Sequence, residues 1–334
     1  MEVVSELLHF KRPAGTSRGV YTDRKVWYIR LSSPQHPKCV GVGECAPLPA
    51  LSCDDVPEYE SILSQVSRRV NECNVSDLFS FLADFPSITF GLDTAIRHYY
   101  AGSYAFYSNP FSEGEEGIPI NGLIWMGRKE DMYAQIKAKL EIGFGCLKLK
   151  IGAIDFDEEL ELLRLIRKQF GRDDITLRVD ANGAFSPAEV MTKLERLSVY
   201  DIHSIEQPIR ARQWEVMSKV IAETPIPIAL DEELIGINSR DGKRELLDAL
   251  HPHYIIIKPS LHGGPDDWVE LAAERGIPWW GTSALESNIG LNAIAQWVGN
   301  YDPQLPQGLG TGLLFVHNKS VPLQLRGDRL WYTP

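Results

Sequence analysis

Tyr254-Ile255-Ile256-Ile257-Lys258-Pro259 is the stretch on which the reading of this chain turns. Its apolar run shows no polar alternation, as expected of a strand covered on both faces, the hallmark of a parallel sheet. A lysine stands at its end, where burial of a charge is costly unless the group has a task or a partner. Working outward, the same unit recurs: a short apolar strand, a turn, an amphipathic helix, then another strand. Strands are expected at 118–126, 146–151, 176–181, 203–207, 227–231, 254–258, 278–283 and 306–310, and the clearest helices at 156–170, 186–199, 213–223 and 264–275. Strands alternating with helices imply parallel βαβ units, and eight of them imply an α/β fold, a (β/α)8-type barrel. An open doubly wound sheet is the competing architecture. It calls for a glycine-rich phosphate turn after the first strand, which Asn121-Gly122-Leu123-Ile124 does not supply.

The first hundred residues read differently. Residues 2–10, 25–33 and 38–45 alternate apolar and polar side chains, as antiparallel strands do, and helical patterns follow at 57–73 and 87–105. Phe111-Ser112-Glu113-Gly114-Glu115-Glu116-Gly117 reads as a polar linker. Residues 321–331 read as a hairpin turning at Gly327-Asp328, and a hairpin after a complete barrel needs a sheet to join. The N-terminal sheet is its expected partner. The division is then an α+β domain over 1–115, completed by 316–334, and a barrel over 116–315.

The chain of 334 residues is 44% hydrophobic and 24% charged, an ordinary globular composition. Its formal charge of −11 repels phosphate backbones and anionic membrane surfaces, which excludes nucleic acid as the main partner. No run reaches the roughly 18 apolar residues of a membrane span. Met1–Leu8 has neither a basic start nor a long apolar core, so no secretory leader is expected. The five cysteines form no CxxC pair and read as reduced thiols of a cytoplasmic protein.

Polar residues fall at the C-terminal ends of successive barrel strands: Lys148-Leu149-Lys150, Asp180-Ala181-Asn182, Glu206-Gln207-Pro208, Asp231-Glu232-Glu233, Lys258-Pro259-Ser260, Thr282-Ser283 and Gly308-Leu309-Gly310. The steps from Lys150 through Asp180, Glu206, Asp231 and Lys258 to Ser283 are 30, 26, 25, 27 and 25 residues. A near-constant step puts each residue at one height, the catalytic rim of a barrel. Asp180, Glu206 and Asp231 come from adjacent strands, and three bare carboxylates at close quarters repel one another. A hard divalent cation relieves this, and an all-oxygen donor set with positions left for water and substrate points to Mg2+, with Mn2+ as a substitute. Lys150 and Lys258 lie four strands apart in a ring of eight and therefore face each other, and Lys148 shares the inward face of Lys150. This set suits removal of a proton from carbon beside a carboxylate, with one lysine neutral as base. Burial, the metal and a neighbouring ammonium are expected to push that lysine's pKa down.

Lys148-Leu149-Lys150, Asp180-Ala181-Asn182-Gly183, Ile205-Glu206-Gln207-Pro208, Asp231-Glu232 and Ile257-Lys258-Pro259 resemble the muconate-lactonizing-enzyme subgroup of the enolase superfamily over nearly the whole chain. The superfamily is known for a Lys or His base working with Mg2+ on an enediolate. The resemblance implies a capping domain beside the barrel, metal roles for Asp180, Glu206 and Asp231, and acid/base roles for Lys150 and Lys258. Gly281-Thr282-Ser283-Ala284-Leu285-Glu286-Ser287 and Gly308-Leu309-Gly310-Thr311 most resemble the o-succinylbenzoate synthase family of menaquinone biosynthesis. The Asp-x-Asp with which the subgroup's dipeptide epimerases hold an ammonium is missing at strand eight. The implied reaction is a syn-dehydration of a cyclohexadiene carboxylate. Lys148, Asn182, Ser283, Gly310 and Arg18 are expected substrate contacts, although Ser283 reads equally well as a helix cap. A racemase, epimerase or cycloisomerase acting on another carboxylate remains the alternative, followed by a non-catalytic carboxylate-binding barrel. Residues 12–21 and 44–51 are lids or plain connectors. Trp279-Trp280 reads as barrel core, and Asp157-Glu158-Glu159-Leu160-Glu161 as a solvated acidic first turn of a helix and not a metal site. Self-association is left open.

Overall fold

The alternating N-terminal segments form three antiparallel strands, β1 (Glu2–Thr16), β2 (Gly19–Ser33) and β3 (His36–Cys45), in that spatial order. The protein, seen here as a computed structural model, is described at residues 1–16, 19–72 and 74–334, with only the backbone considered at 15 and 16. Arg18, an expected substrate contact, lies outside the described residues, as does Cys73. Helices α1 (Tyr59–Arg69), α2 (Val75–Phe81) and α3 (Pro86–Ala101) cover one face of this sheet. α3 approaches β3 closely because two glycines face it. A Cβ on Gly43 would stand 1.8 Å from the Gly91 carbonyl oxygen, and one on Gly41 would stand 2.0 Å from that of Ala95.

The segment expected as a linker is anchored at its start, where Phe111 and Ser112 are buried while Glu113, Glu115 and Glu116 are exposed. The barrel then follows in order: β4 (Ile118–Pro119), β5 (Gly122–Ile124), α4 (Lys129–Ile142), β6 (Cys146–Lys150), α5 (Phe156–Gln169), β7 (Thr176–Asp180) and α6 (Val190–Ser198). It continues through β8 (Ile202–Glu206), α7 (Trp214–Glu223), β9 (Ile228–Leu230), α8 (Arg240–Leu250), β10 (Tyr254–Ile257), α9 (Pro265–Glu274), β11 (Trp279–Gly281) and α10 (Asn288–Val298). Strands β5 to β11 are parallel neighbours in sequence order.

The eighth expected strand, 306–310, is not formed as a strand. Single parallel bridges Ile120↔Gln307 and Thr282↔Gly308 close the ring instead. Pro303, Pro306, Gly308 and Gly310 are poor ladder residues, and the Gln307 side chain takes over part of the pairing by accepting from the Gly281 amide at 2.6 Å.

Leu147, Leu149, Val179, Ile205 and Ile257 are fully buried in the large core shared with the helices, whereas Lys148, Lys150, Arg178 and Asp180 alternate with the first three inside the ring. Ala229, Ile256 and Trp280 fill the ring's interior, with the Arg178 guanidinium 4.0 Å over the Trp280 ring. Trp279 packs on Trp297 and Tyr301, so the Trp pair belongs to the core as read.

The tail departs from expectation. Its hairpin, β12 (Leu323–Arg326) and β13 (Arg329–Tyr332), pairs with β4 and not with the N-terminal sheet. Leu330 and Tyr332 bury beside Ile118 and Phe111, an apolar patch that β4 and its flank provide. The segment just before the hairpin makes the return. Lys11 N donates to Leu314 O, Val316 N donates to His9 O, and Lys319 pairs with Glu6.

Candidate active site

Parallel register brings the expected residues together. Lys150 pairs with Asp180 across β6–β7 and Asp180 with Glu206 across β7–β8, while Asp231 and Lys258 directly follow β9 and β10. All of these side chains are buried. Lys150 Nζ lies 2.6 Å from Asp180 Oδ2 and donates to Asn182 Oδ1 at 2.7 Å. Lys148 Nζ reaches Glu206 Oε2 at 2.9 Å and Asp180 Oδ2 at 3.2 Å. Lys258 Nζ pairs with Asp231 Oδ1. Asn182 Nδ2 donates to Glu232 Oε1 at 2.9 Å, and the Asn182 amide donates to Asp180 Oδ1 at 3.0 Å. That bond comes with left-handed backbone at Asn182, φ 45°, a conformation asparagine tolerates better than most residues.

Burial is the largest influence on Asp180, Glu206, Asp231, Lys148 and Lys258, and neighbouring charges oppose or reinforce it. Asp180 ends far below the usual carboxylate range because Lys150 and Lys148 overcome its burial. Asp231 also ends low, through Lys258. Glu206 ends well above its ordinary value, since burial and the Asp180 charge outweigh Lys148. The downward push expected on a lysine is present as burial at Lys148 and Lys258, but their carboxylate neighbours reverse it and both ammoniums are stabilised.

Among the described residues no group of three or more His, Cys, Asp or Glu stands ready-made around a metal position. The lysine ammoniums fill that role, and Asp180 is fully buried beneath Lys148 and Lys150. The donor chemistry nevertheless fits a hard cation. Asp180, Glu206 and Asp231 offer only carboxylate oxygens, and the Lys148, Lys150 and Lys258 ammoniums supply the positive charge those buried oxygens need.

The rest of the cavity comes from both parts of the chain. Tyr21, Leu48 and Leu51 reach it from the N-terminal part, and Trp125, Ser283 and Gly310 from the barrel. Ser283 is not a helix cap. Ser287 caps α10, and the Ser283 hydroxyl lies 2.6 Å from that of Thr311. The segment 44–51 is tied down: Leu48 N donates to Ser52 Oγ at 2.7 Å, and Arg24 donates to the carbonyls of Ala46 and Ala284. The acidic turn of α5 is only partly solvated, because Glu159 is buried and accepts from the Gly152 amide at 2.7 Å.

Sequence reading missed the tie between the two parts. Glu44 accepts from the amides of Ser287 at 2.8 Å and Gly290 at 2.9 Å, so a residue of β3 serves the N-terminus of α10. Glu286 accepts from the Ala284 amide at 2.7 Å and from Ser260 Oγ. A charged residue near the apolar end of β3 was the available signal, but its partner lies 243 residues away.

Known proteins share this fold. Residues 131–307 match the family model described as Enolase C-terminal domain-like. The chain is 46% identical to the o-succinylbenzoate synthase of Desulfotalea psychrophila, over 97% of this chain and 96% of the relative. The crystal structure of MenC from the same organism superposes with a TM-score of 0.86 at 42% identity, covering 99% of this chain and 98% of that one. The o-succinylbenzoate synthase from Thermosynechococcus elongatus BP-1, described as complexed with Mg in its active site, shares the fold with a TM-score of 0.75 at 24% identity, covering 92% and 91%. The chain belongs to the enolase superfamily, in the family of the o-succinylbenzoate synthases.

Proposed function

We propose that this protein is an Mg2+-dependent o-succinylbenzoate synthase, a carbon–oxygen lyase acting in menaquinone biosynthesis. Its substrate is then 2-succinyl-6-hydroxy-2,4-cyclohexadiene-1-carboxylate, which loses water syn to give o-succinylbenzoate. The observation that supports this most is near-full-length identity of 46% to a synthase, and the cluster of lysines and carboxylates in one cavity fits it.

In this reading Asp180, Glu206 and Asp231 hold the metal, which when bound supplies positive charge against the second negative charge that builds on the substrate carboxylate. Lys150 Nζ, once neutral, takes the proton on the carbon alpha to the carboxylate. Asp180 and Asn182 aim that nitrogen, at 2.6 and 2.7 Å. The C–H electron pair passes into the enediolate and then expels the hydroxyl, to which Lys150 returns the proton, so water leaves and the ring becomes aromatic. Lys258 stays cationic, held so by Asp231, and lies over the ring of the delocalised anion. Lys148 bridges the Asp180 and Glu206 carboxylates and screens their repulsion. Ser283 and Gly310 receive the remote carboxylate, and Tyr21, Leu48, Leu51 and Trp125 exclude water. Mn2+ can substitute for Mg2+ in this scheme, and the location is cytoplasmic. Among the described residues no helix is long and apolar enough to cross a membrane.

Replacing Lys150 tests the scheme. Lys150→Ala is expected to lower kcat by at least about 10³-fold, the upper part of the range for general acid–base groups. The variant should retain its fold by circular dichroism and its Mg2+ binding by calorimetry. Substantial residual turnover would remove Lys150 as the base.

A further inference from the structure

Ser283 and Thr311 hold an unspent proton. Their hydroxyl oxygens are 2.6 Å apart, both side chains are buried, and both line the catalytic cavity. Each hydroxyl carries one O–H, and the contact between them uses only one of the two. Among the described residues neither hydroxyl makes a second hydrogen bond, and the remaining O–H has no acceptor among them. A buried donor without an acceptor is costly, and here the open side is the cavity.

The position of the pair says what kind of acceptor it awaits. Ser283 follows β11, and Thr311 follows the bridge segment that closes the ring. Counting around the ring in either direction, that closing segment is four places from β8, which carries Glu206. The hydroxyl pair thus stands on the wall opposite the carboxylate cluster. A ligand whose reacting carboxylate lies at that cluster presents its far end to the pair. Ser283 is 7% exposed and Thr311 4%, and their contact allows either hydroxyl to be the donor. Thr311 is the stiffer, because its γ-methyl restricts χ1.

The geometry points to Thr311 as a positioning residue. Its hydroxyl donates to Ser283 Oγ and thereby turns the Ser283 proton into the cavity, toward the distal carboxylate of the substrate. This rests on the synthase reading given above. Removing the Thr311 hydroxyl leaves Ser283 free to rotate its proton elsewhere, so binding of the far carboxylate suffers while the proton chemistry at Lys150 does not.

Three variants test it: Thr311→Val, which keeps the shape, Thr311→Ser, which restores the hydroxyl, and Ser283→Ala. Wild-type turnover is measured first, since its absence would refute the synthase reading itself. With turnover present, Thr311→Val is expected to raise KM about tenfold, within the range for losing a hydrogen bond to a charged group, with kcat changed less than about twofold. It should weaken calorimetric binding of o-succinylbenzoate by a similar factor yet leave binding of benzoate, which lacks the distal carboxylate, where it was. Thr311→Ser should recover most of the loss. Thr311→Val combined with Ser283→Ala should cost no more than Ser283→Ala alone, because the two act as one unit. Should Thr311→Val not fold, Thr311→Ala read against Thr311→Ser gives the same comparison. An unchanged KM, an equal loss of benzoate binding, failure of Thr311→Ser to rescue, or additive effects would each overturn the assignment.

Discussion

Glu44 is expected to make the joint between the N-terminal sheet and the barrel sensitive to pH. Its carboxyl is fully buried, accepts from the Ser287 and Gly290 amides and the Ser287 hydroxyl, and is pushed up from 4.5 to about 7, mainly by burial. An acid whose pKa is higher in the folded protein than in the unfolded chain favours folding at low pH. That contribution is complete below about 4.5 and is lost as pH rises through about 7. At about 1.4 kcal/mol per pK unit, the loss between about pH 5 and pH 8 comes to about 2–3 kcal/mol. The assay is urea unfolding of the wild type and Glu44→Gln at a series of pH values. Glutamine keeps the shape but does not titrate, and it turns an N–H toward donor amides, so the variant is the weaker protein at about pH 5. The gap between the two should close, or reverse, by about 2–3 kcal/mol as the pH is raised to about 8. Two curves that stay parallel over that range would refute the argument.

Other outcomes follow from the same contacts. Asp180→Asn, Glu206→Gln and Asp231→Asn should each weaken Mg2+ binding measured by calorimetry, and if all three leave it unchanged the ligand assignment is wrong. Gly43→Ala should lower the melting temperature, because its Cβ would meet the Gly91 carbonyl at 1.8 Å and overpacking costs about 1–3 kcal/mol or more. Lys150 and Lys258, as bases on opposite sides of a substrate, also suit two-sided proton exchange. Incubation with an N-succinylamino acid in D2O, followed by NMR, should show alpha-proton exchange only slowly relative to dehydration, and exchange faster than dehydration would favour a racemase.

The barrel and its rim were legible because a parallel strand leaves few places for polar residues. Lys150, Asp180, Glu206 and Lys258 at the ends of apolar runs had to be rim residues, and adjacent strands had to bring the carboxylates together. The eighth strand was not legible. Residues 306–310 are spaced like the others, but prolines and glycines reduce the segment to two bridges, held by the backbone of Gln307 and Gly308 with one added bond to the Gln307 side chain. Helix α10 was not among the clear helices for a related reason: every residue from Ile289 to Val298 is buried, so it has no polar face to give a period. The tail hairpin was visible in its own turn, Gly327-Asp328, while its partner was not, since local pattern says nothing of which sheet has a free edge. Glu159 looks like a solvated helix start until Gly152 and Ala153 are seen to donate to it. The hydroxyl pair of Ser283 and Thr311 and the bridge from Glu44 to Ser287 join residues 28 and 243 apart in sequence, and each depends on the closed ring or on the packing of its two parts.

The most direct measurement is turnover of the cyclohexadiene carboxylate itself by the purified protein, followed through the absorbance change on aromatisation. The account predicts conversion to o-succinylbenzoate that stops when EDTA removes divalent ions and returns when Mg2+ is added back. A folded, Mg2+-loaded protein that leaves this substrate unchanged would contradict it.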